Sequence, residues 1–212
     1  MPWLDLARSE REDFAAFLET LSPQQWEAPT LCERWNVRQV AAHAISFDEL
    51  RGGALVRRFL KGWLRVDRIN QVGVDDYASH TPAELIALIR THAEPHGMTA
   101  GFGGRVALTD NMIHQQDIRR PLGLPRTIDD RRLRVALDFA LNSPTIRGAR
   151  RTKRLRLVAN NLYWSHGDGA EVRGPGEALL MAMAGRRDAL KDLDGPGKDD
   201  LADRLAGFDL RR

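Results

Sequence analysis

Asp110, His114 and Asp117 stand at i, i+4 and i+7 within Val106–Gly123 (VALTDNMIHQQDIRRPLG). On a helix of 3.6 residues per turn that spacing puts them on one side. A carboxylate one turn before an imidazole lets both reach a common point, so a divalent metal needs only one or two further ligands. His43 is the best donor elsewhere, on a stripe with Val40 and Phe47 at the edge of a buried helix face. The plain alternative is a solvated or salt-bridged Asp–His pair and a core histidine satisfied by hydrogen bonds. Two imidazoles and one carboxylate suit zinc, nickel, manganese or iron. Asp117 either accepts the free N–H of His114 and fixes its tautomer, or pairs at the surface with Arg119 or Arg120.

Other reactive residue types say less. Cys32 is the single cysteine, which excludes an intramolecular disulfide and a multi-cysteine zinc site, and it reads as a small buried hydrophobe. His92 and His96 are separated by Pro95, which removes them from one helix face. The GFGG at 101–104 is too short a signal for a phosphate cradle and reads as a flexible loop or lid. The run RGARRTKRLR holds six basic residues (Arg147, Arg150, Arg151, Lys153, Arg154, Arg156) but no interleaved aromatics. With a net charge of only +3 it reads as a solvated loop, and no nucleic-acid partner is expected.

The 212 residues are 42% hydrophobic and 29% charged, an ordinary globular balance with enough apolar content for a core. No apolar run approaches bilayer length and MPWLDLARSERED lacks a signal peptide's regions, so a cytoplasmic location without a membrane partner is expected. Only Lys61, Lys153, Lys191 and Lys198 of the 32 basic residues are lysine, and this arginine bias suits a GC-rich bacterial genome.

Helices must position these groups. A first helix is predicted from about Leu4 to Leu21, followed by a short turn started by Ser22-Pro23. Trp26 and Trp35 then plug the bundle end. Asn36 and Gln39 form a capping box that starts the helix bearing His43, which continues past or kinks at Gly52-Gly53. Residues from about Lys61 to His80 show no clean period and read as a long connection. Thr81-Pro82-Ala83-Glu84 starts another helix, ending near Glu94. The metal-site helix follows and stops at Arg120-Pro121, and Asp129 or Asp130 caps one more, through about Leu141. Beyond Pro144, RLRLVANNLYWSHGDGAEVRG reads as a β-hairpin turned at Gly167-Asp168-Gly169. An apolar helix from Glu177 to Ala184 and a last one through Leu201 and Leu205 complete the chain.

DFAAFLETLSPQQWEAPTLCERWNVRQVAAHA, TDNMIHQQDIRRPLG and EVRGPGEALLMAMAGR, in that order, together resemble the mycothiol-dependent maleylpyruvate isomerase family, among the DinB-like helical bundles. The resemblance spans nearly the whole chain and suits an actinobacterial source. It implies a mainly α fold: a DinB-like four-helix metal-binding bundle over residues 1–142, then a small α/β segment with a β-hairpin over 143–212. It implies zinc held by a histidine of the second helix and a Glu-x-x-x-His pair, which here fall on His43, Asp110 and His114. Asp110 departs from that pattern by one methylene. Three protein ligands and an open position are the arrangement of a catalytic site.

The expected function is a metal-dependent enzyme that activates mycothiol or a similar low-molecular-weight thiol for isomerisation or S-transfer on a small electrophilic substrate. Arg186 or Arg173 is the weak candidate to face a substrate carboxylate, against the plainer reading of surface arginine. The rival classes are a non-catalytic metal-binding or regulatory bundle and, behind it, a nucleic-acid-binding protein. Bundle faces of this length often pair, so the assembly to look for is a homodimer.

Overall fold

A computed structural model describes residues 2–50 and 52–209, which divide into two compact units, 1–125 and 126–212. The first unit contains α1 (Pro2–Glu19), α2 (Pro23–Trp26), α3 (Val37–Ile45), α4 (Gly52–Lys61), α5 (Val66–Asp76), α6 (Pro82–Thr91) and α7 (Arg105–Leu122). α1 and α3 each pack against both α6 and α7, which closes a ring of four helices. Phe14, Leu18, Val40, Ala41, Ile45, Leu85, Ile89 and Ile118 fill its centre. Each of these side chains other than Ala41, taken fully from water, contributes about 1.5–3 kcal/mol before entropy is counted. α2, α3 and α6 all start with reciprocal capping boxes, Ser22 with Gln25, Asn36 with Gln39 and Thr81 with Glu84.

Three local expectations need correction in this unit. Lys61–His80 is not one long connection, because α5 occupies its middle and buries Ile69, Gly73 and Val74. Ile69 and Gly73, four apart, share a face, but Asp67, Arg68, Asn70 and Gln71 dilute the apolar signal. The helix bearing His43 neither continues past nor kinks at Gly52-Gly53: it ends at Ile45, and Gly52 starts the separate helix α4. α7 does not stop before Pro121. It runs to Leu122 and ends at Gly123, whose left-handed backbone turns its N–H onto the carbonyls of Arg119 and Arg120.

Pro121 fits inside α7 for an identifiable reason. Proline lacks the N–H that would bond the carbonyl of Asp117, four residues back. That carbonyl accepts instead from Leu31 N, at 3.0 Å, in the loop between α2 and α3. The proline therefore leaves no buried acceptor stranded.

The second unit contains α8 (Asp130–Asn142), α9 (Gly148–Arg151), β1 (Leu155–Ala159), β2 (Ser165–His166), β3 (Ala170–Gly174), α10 (Gly176–Met183) and α11 (Lys198–Asp209). The division falls one helix earlier than 142/143, because the inward face of α8 packs on α10. Gly176 allows this approach, since a Cβ there would lie 3.1 Å from Leu133 Cδ2. β1 is the central strand, antiparallel to β2 and parallel to β3. The hairpin thus turns through residues 160–164 and not at Gly167-Asp168-Gly169, which carries the chain across the end of β1. A Cβ on Gly167 or Gly169 would strike the carbonyl oxygen of Leu155 or Arg154, at 2.1 Å and 1.8 Å. The basic run is not uniformly solvated either: Arg151 is buried, donating to the carbonyls of Ile146 and Met183.

The protein is thus mainly α with a small α/β part. No helix among the described residues is long and apolar enough to cross a membrane.

Candidate metal centre

α7 carries the site because its inward face is polar where a bundle core is ordinarily apolar. Every residue from Asn111 to Ile118 is buried, including His114, Gln115, Gln116 and Asp117. Buried polar groups of this density must be satisfied by one another or by a ligand. α3 supplies His43 to the same place: the His43 and His114 rings meet edge to face with centroids 4.8 Å apart. Donor atoms of His43, Asp110 and His114 lie within 4.8 Å of one another.

The two nitrogens of His114 face opposite carboxylates. Nε2 is 3.5 Å from Asp110 Oδ1, and Nδ1 is 3.0 Å from Asp117 Oδ2. The Asp117 side chain is fully buried, whereas that of Asp110 is 45% exposed and gives the cluster its open side. Trp35 packs against the His43 ring at 4.8 Å and Phe47 meets it edge-on at 6.3 Å, so aromatic surface walls this histidine from water.

These surroundings drive the two histidines apart. Burial, reinforced by the nearby positive His114, lowers the His43 pKa to about 3, so its ring is neutral at any physiological pH. Burial also disfavours charge on His114, but Asp110 and Asp117 outweigh it and hold the pKa well above the usual histidine value. Burial would raise the Asp110 pKa, yet His114 and then His43 pull it down to about 2. The site is therefore built to hold a positive charge.

The residues fit a divalent metal. Their donors are two imidazoles and a carboxylate, the set that borderline cations prefer. His43 Nδ1 is buried without a hydrogen-bond partner, which costs about 1–3 kcal/mol unless a ligand compensates. Asp117 behind His114 has the geometry of the carboxylate that fixes a ligating histidine's tautomer.

The structure thus brings together His43, Asp110, His114 and Asp117. Arg173 and Arg186 belong to the second unit, where Arg173 pairs with Glu171 and Arg186 donates to the carbonyl of Ala184. Cys32 is not the isolated apolar side chain that its sequence context suggests. Its Sγ donates to Asp117 Oδ2 at 3.0 Å and lies 3.7 Å from His114 Nδ1. The sequence signal for this is slight: Thr30, two positions earlier, accepts from Cys32 N at 3.1 Å and shapes the loop.

A four-helix bundle with a buried His/Asp cluster at its centre, followed by a small α/β unit, defines the class of protein. Residues 7–96 match the family model described as the mycothiol maleylpyruvate isomerase N-terminal domain. A crystal structure of the mycothiol-dependent maleylpyruvate isomerase superposes with a TM-score of 0.61 at 16% identity, covering 93% of this chain and 92% of that one. The structure of a histidine-to-alanine mutant of the mycothiol-dependent maleylpyruvate isomerase superposes at 0.58 and 14% identity, with the same coverage. No curated protein matches the chain. The likeness is thus one of sequence to the family model over residues 7–96, and one of fold to the solved isomerase structures over most of the chain.

Proposed function

We propose that the protein is an isomerase-like, metal-dependent enzyme that activates mycothiol or a similar small thiol for reaction with a small electrophilic substrate. The observation that carries the reading is the convergence of His43, Asp110 and His114 in a bundle whose residues 7–96 match the mycothiol maleylpyruvate isomerase N-terminal domain. A divalent ion, zinc being the leading candidate, would supply Lewis acidity that keeps a thiol sulfur as thiolate near neutral pH.

The chain's own residues prepare that chemistry. His43 stays neutral and keeps a lone pair available, because burial resists its protonation. Asp117 holds His114 at Nδ1 and so directs Nε2 toward Asp110. Trp35 and Phe47 exclude water around His43, which strengthens every charge interaction at the cluster. Half-exposed Asp110 leaves an approach for thiol and substrate. In isomerisation the thiol adds to a conjugated double bond, rotation follows about the resulting single bond, and elimination returns the thiol. In S-transfer the sulfur remains on the acceptor. A reduced thiol pool and a chain with a single cysteine both suit the cytoplasm.

Elemental mass spectrometry on protein prepared without chelator or nickel resin tests the reading. About one equivalent of metal is expected in the wild type, with loss in both His43→Ala and His114→Ala. Thiol-dependent turnover should vanish in the same variants. Wild-type protein that carries no metal, and is neither bound nor stabilised by added zinc, would overturn the proposal.

A further inference from the structure

The loop between α2 and α3 grips both histidines from outside the donor set. A bridge between Pro29 and Asn36 closes it, and Thr30 Oγ1 accepts from Cys32 N and donates to the carbonyl of Trp35 at 2.7 Å. Trp35 lies on His43. On the other side, Leu31 N takes the Asp117 carbonyl that Pro121 leaves free in the helix ladder. This latch delivers Cys32 Sγ to Asp117 Oδ2, the same oxygen that faces His114 Nδ1.

Cys32, His114 and Asp117 also lie close enough together to be considered as a ligand trio. The arrangement argues against that use. The two ring nitrogens of an imidazole diverge, and Cys32 is on the Nδ1 side while Asp110 is at Nε2. The thiol is already engaged with a fully buried carboxylate that itself holds the ring. A metal there would displace the hydrogen bond that orients His114 toward the open side.

We propose that Cys32 is a positioning residue for the metal centre: its S–H, delivered by the Leu31–Asp117 latch, fixes the Asp117 carboxylate that orients His114, and its sulfur does not bond the ion. This rests on the metal reading above. Cys32→Ser keeps a donor at the same place, whereas Cys32→Val keeps a similar volume and removes it.

The test is zinc affinity by chelator competition for wild type, Cys32→Ser, Cys32→Val, Asp117→Asn and the Cys32→Val/Asp117→Asn double variant. It is read beside the cobalt absorption spectrum and the 15N signal of His114 Nδ1 in the metal-free protein. Removing a group that supports a ligand typically weakens metal binding by about 10–100-fold. Cys32→Val should fall in that range with an unchanged circular dichroism spectrum and a shifted Nδ1 signal, while Cys32→Ser stays within about threefold of wild type, well short of that loss. The double variant should bind no more weakly than Asp117→Asn alone, because both act through one hydrogen-bond chain. A sulfur-to-cobalt charge-transfer band in the wild type would make Cys32 a ligand and overturn the assignment. Wild-type affinity and an unmoved Nδ1 signal in Cys32→Val would overturn it while leaving the metal reading intact. No zinc uptake by the wild type would overturn both.

Discussion

His43 and His114 share one cluster yet are held in opposite charge states, which gives the site a pH signature. The raised pKa of His114 stabilises the metal-free fold fully below 6.5, its ordinary value, and that contribution is lost as pH rises through the raised value. The lowered pKa of His43 acts in the other direction: below 6.5 the unfolded ring takes a proton that the folded ring refuses until about pH 3, so stability falls with pH across that window. Asp110, lowered to about 2, contributes above 3.8 and loses its contribution as pH falls toward 2. Melting curves of metal-free protein should therefore show the site's stabilisation greatest near pH 6.5 and declining on both sides, a pattern that His43→Ala and His114→Ala each remove on one side. A bound cation takes the place of the His114 proton, so metal affinity should rise with pH over the range in which the metal-free fold weakens. Calorimetry in buffers of different ionisation enthalpy should detect about one proton released per ion in that range. Away from the site, Arg11 and Asp48 make a buried two-pronged pair at 3.0 Å and 3.0 Å. Asp48→Ala leaves the guanidinium buried without its carboxylate and should cost about 3–5 kcal/mol in urea unfolding.

Among the elements, α4 and α5 show how one glycine lets two helices pair. Arg58 of α4 is buried with its guanidinium on the Phe47 ring at 4.0 Å, and it donates to the carbonyls of Ser46 and Ile69 and to Ser46 Oγ. It ties the end of α3 to α4 and α5 together. Gly73 of α5 leaves the space, since a Cβ there would lie 1.7 Å from Arg58 Nη2. Gly73→Ala improves intrinsic helix propensity by about 0.8–1 kcal/mol. It also forces Arg58 off its acceptors, and each buried group left unpaired costs about 1–3 kcal/mol. The net effect should be destabilising, with hydrogen exchange accelerating over 52–76 while the α1 and α7 amides keep their protection. The same accounting of backbone groups explains α7: Pro121 looks like a stop signal until Leu31 is seen to occupy the Asp117 carbonyl.

At the scale of the molecule, the metal-site residues all come from the first unit: Cys32, His43, Asp110, His114 and Asp117 lie within 1–125. The four packed helices of this unit, α1, α3, α6 and α7, close a ring with its own apolar centre, which is the condition for folding alone. A fragment ending at Pro125 should be helical by circular dichroism and take up about one equivalent of metal that depends on His43 and His114. A fragment that stays unfolded would mean that the bundle core is too small to stand by itself. Arg173 and Arg186 are absent from this fragment, so comparing its turnover with that of the full chain measures what the second unit adds to catalysis.

The amino-acid sequence by itself determined whatever depends on neighbours along the chain. The capping boxes at Ser22, Asn36 and Thr81 were legible because each is a reciprocal bond over three residues, and Asp110 beside His114 was legible because four residues are one helical turn. The order of three motifs was enough to indicate the mainly α fold and its family resemblance. Tertiary structure alone decided what joins distant residues. The contacts of Cys32 with His114 and Asp117 span 82 and 85 positions, and no periodicity along the chain encodes such a meeting. The strand order placing β1 between β2 and β3, and the survival of α7 through Pro121, have the same origin. In each, a backbone or side-chain group finds its partner on another element, and only the folded chain shows which partner is within reach.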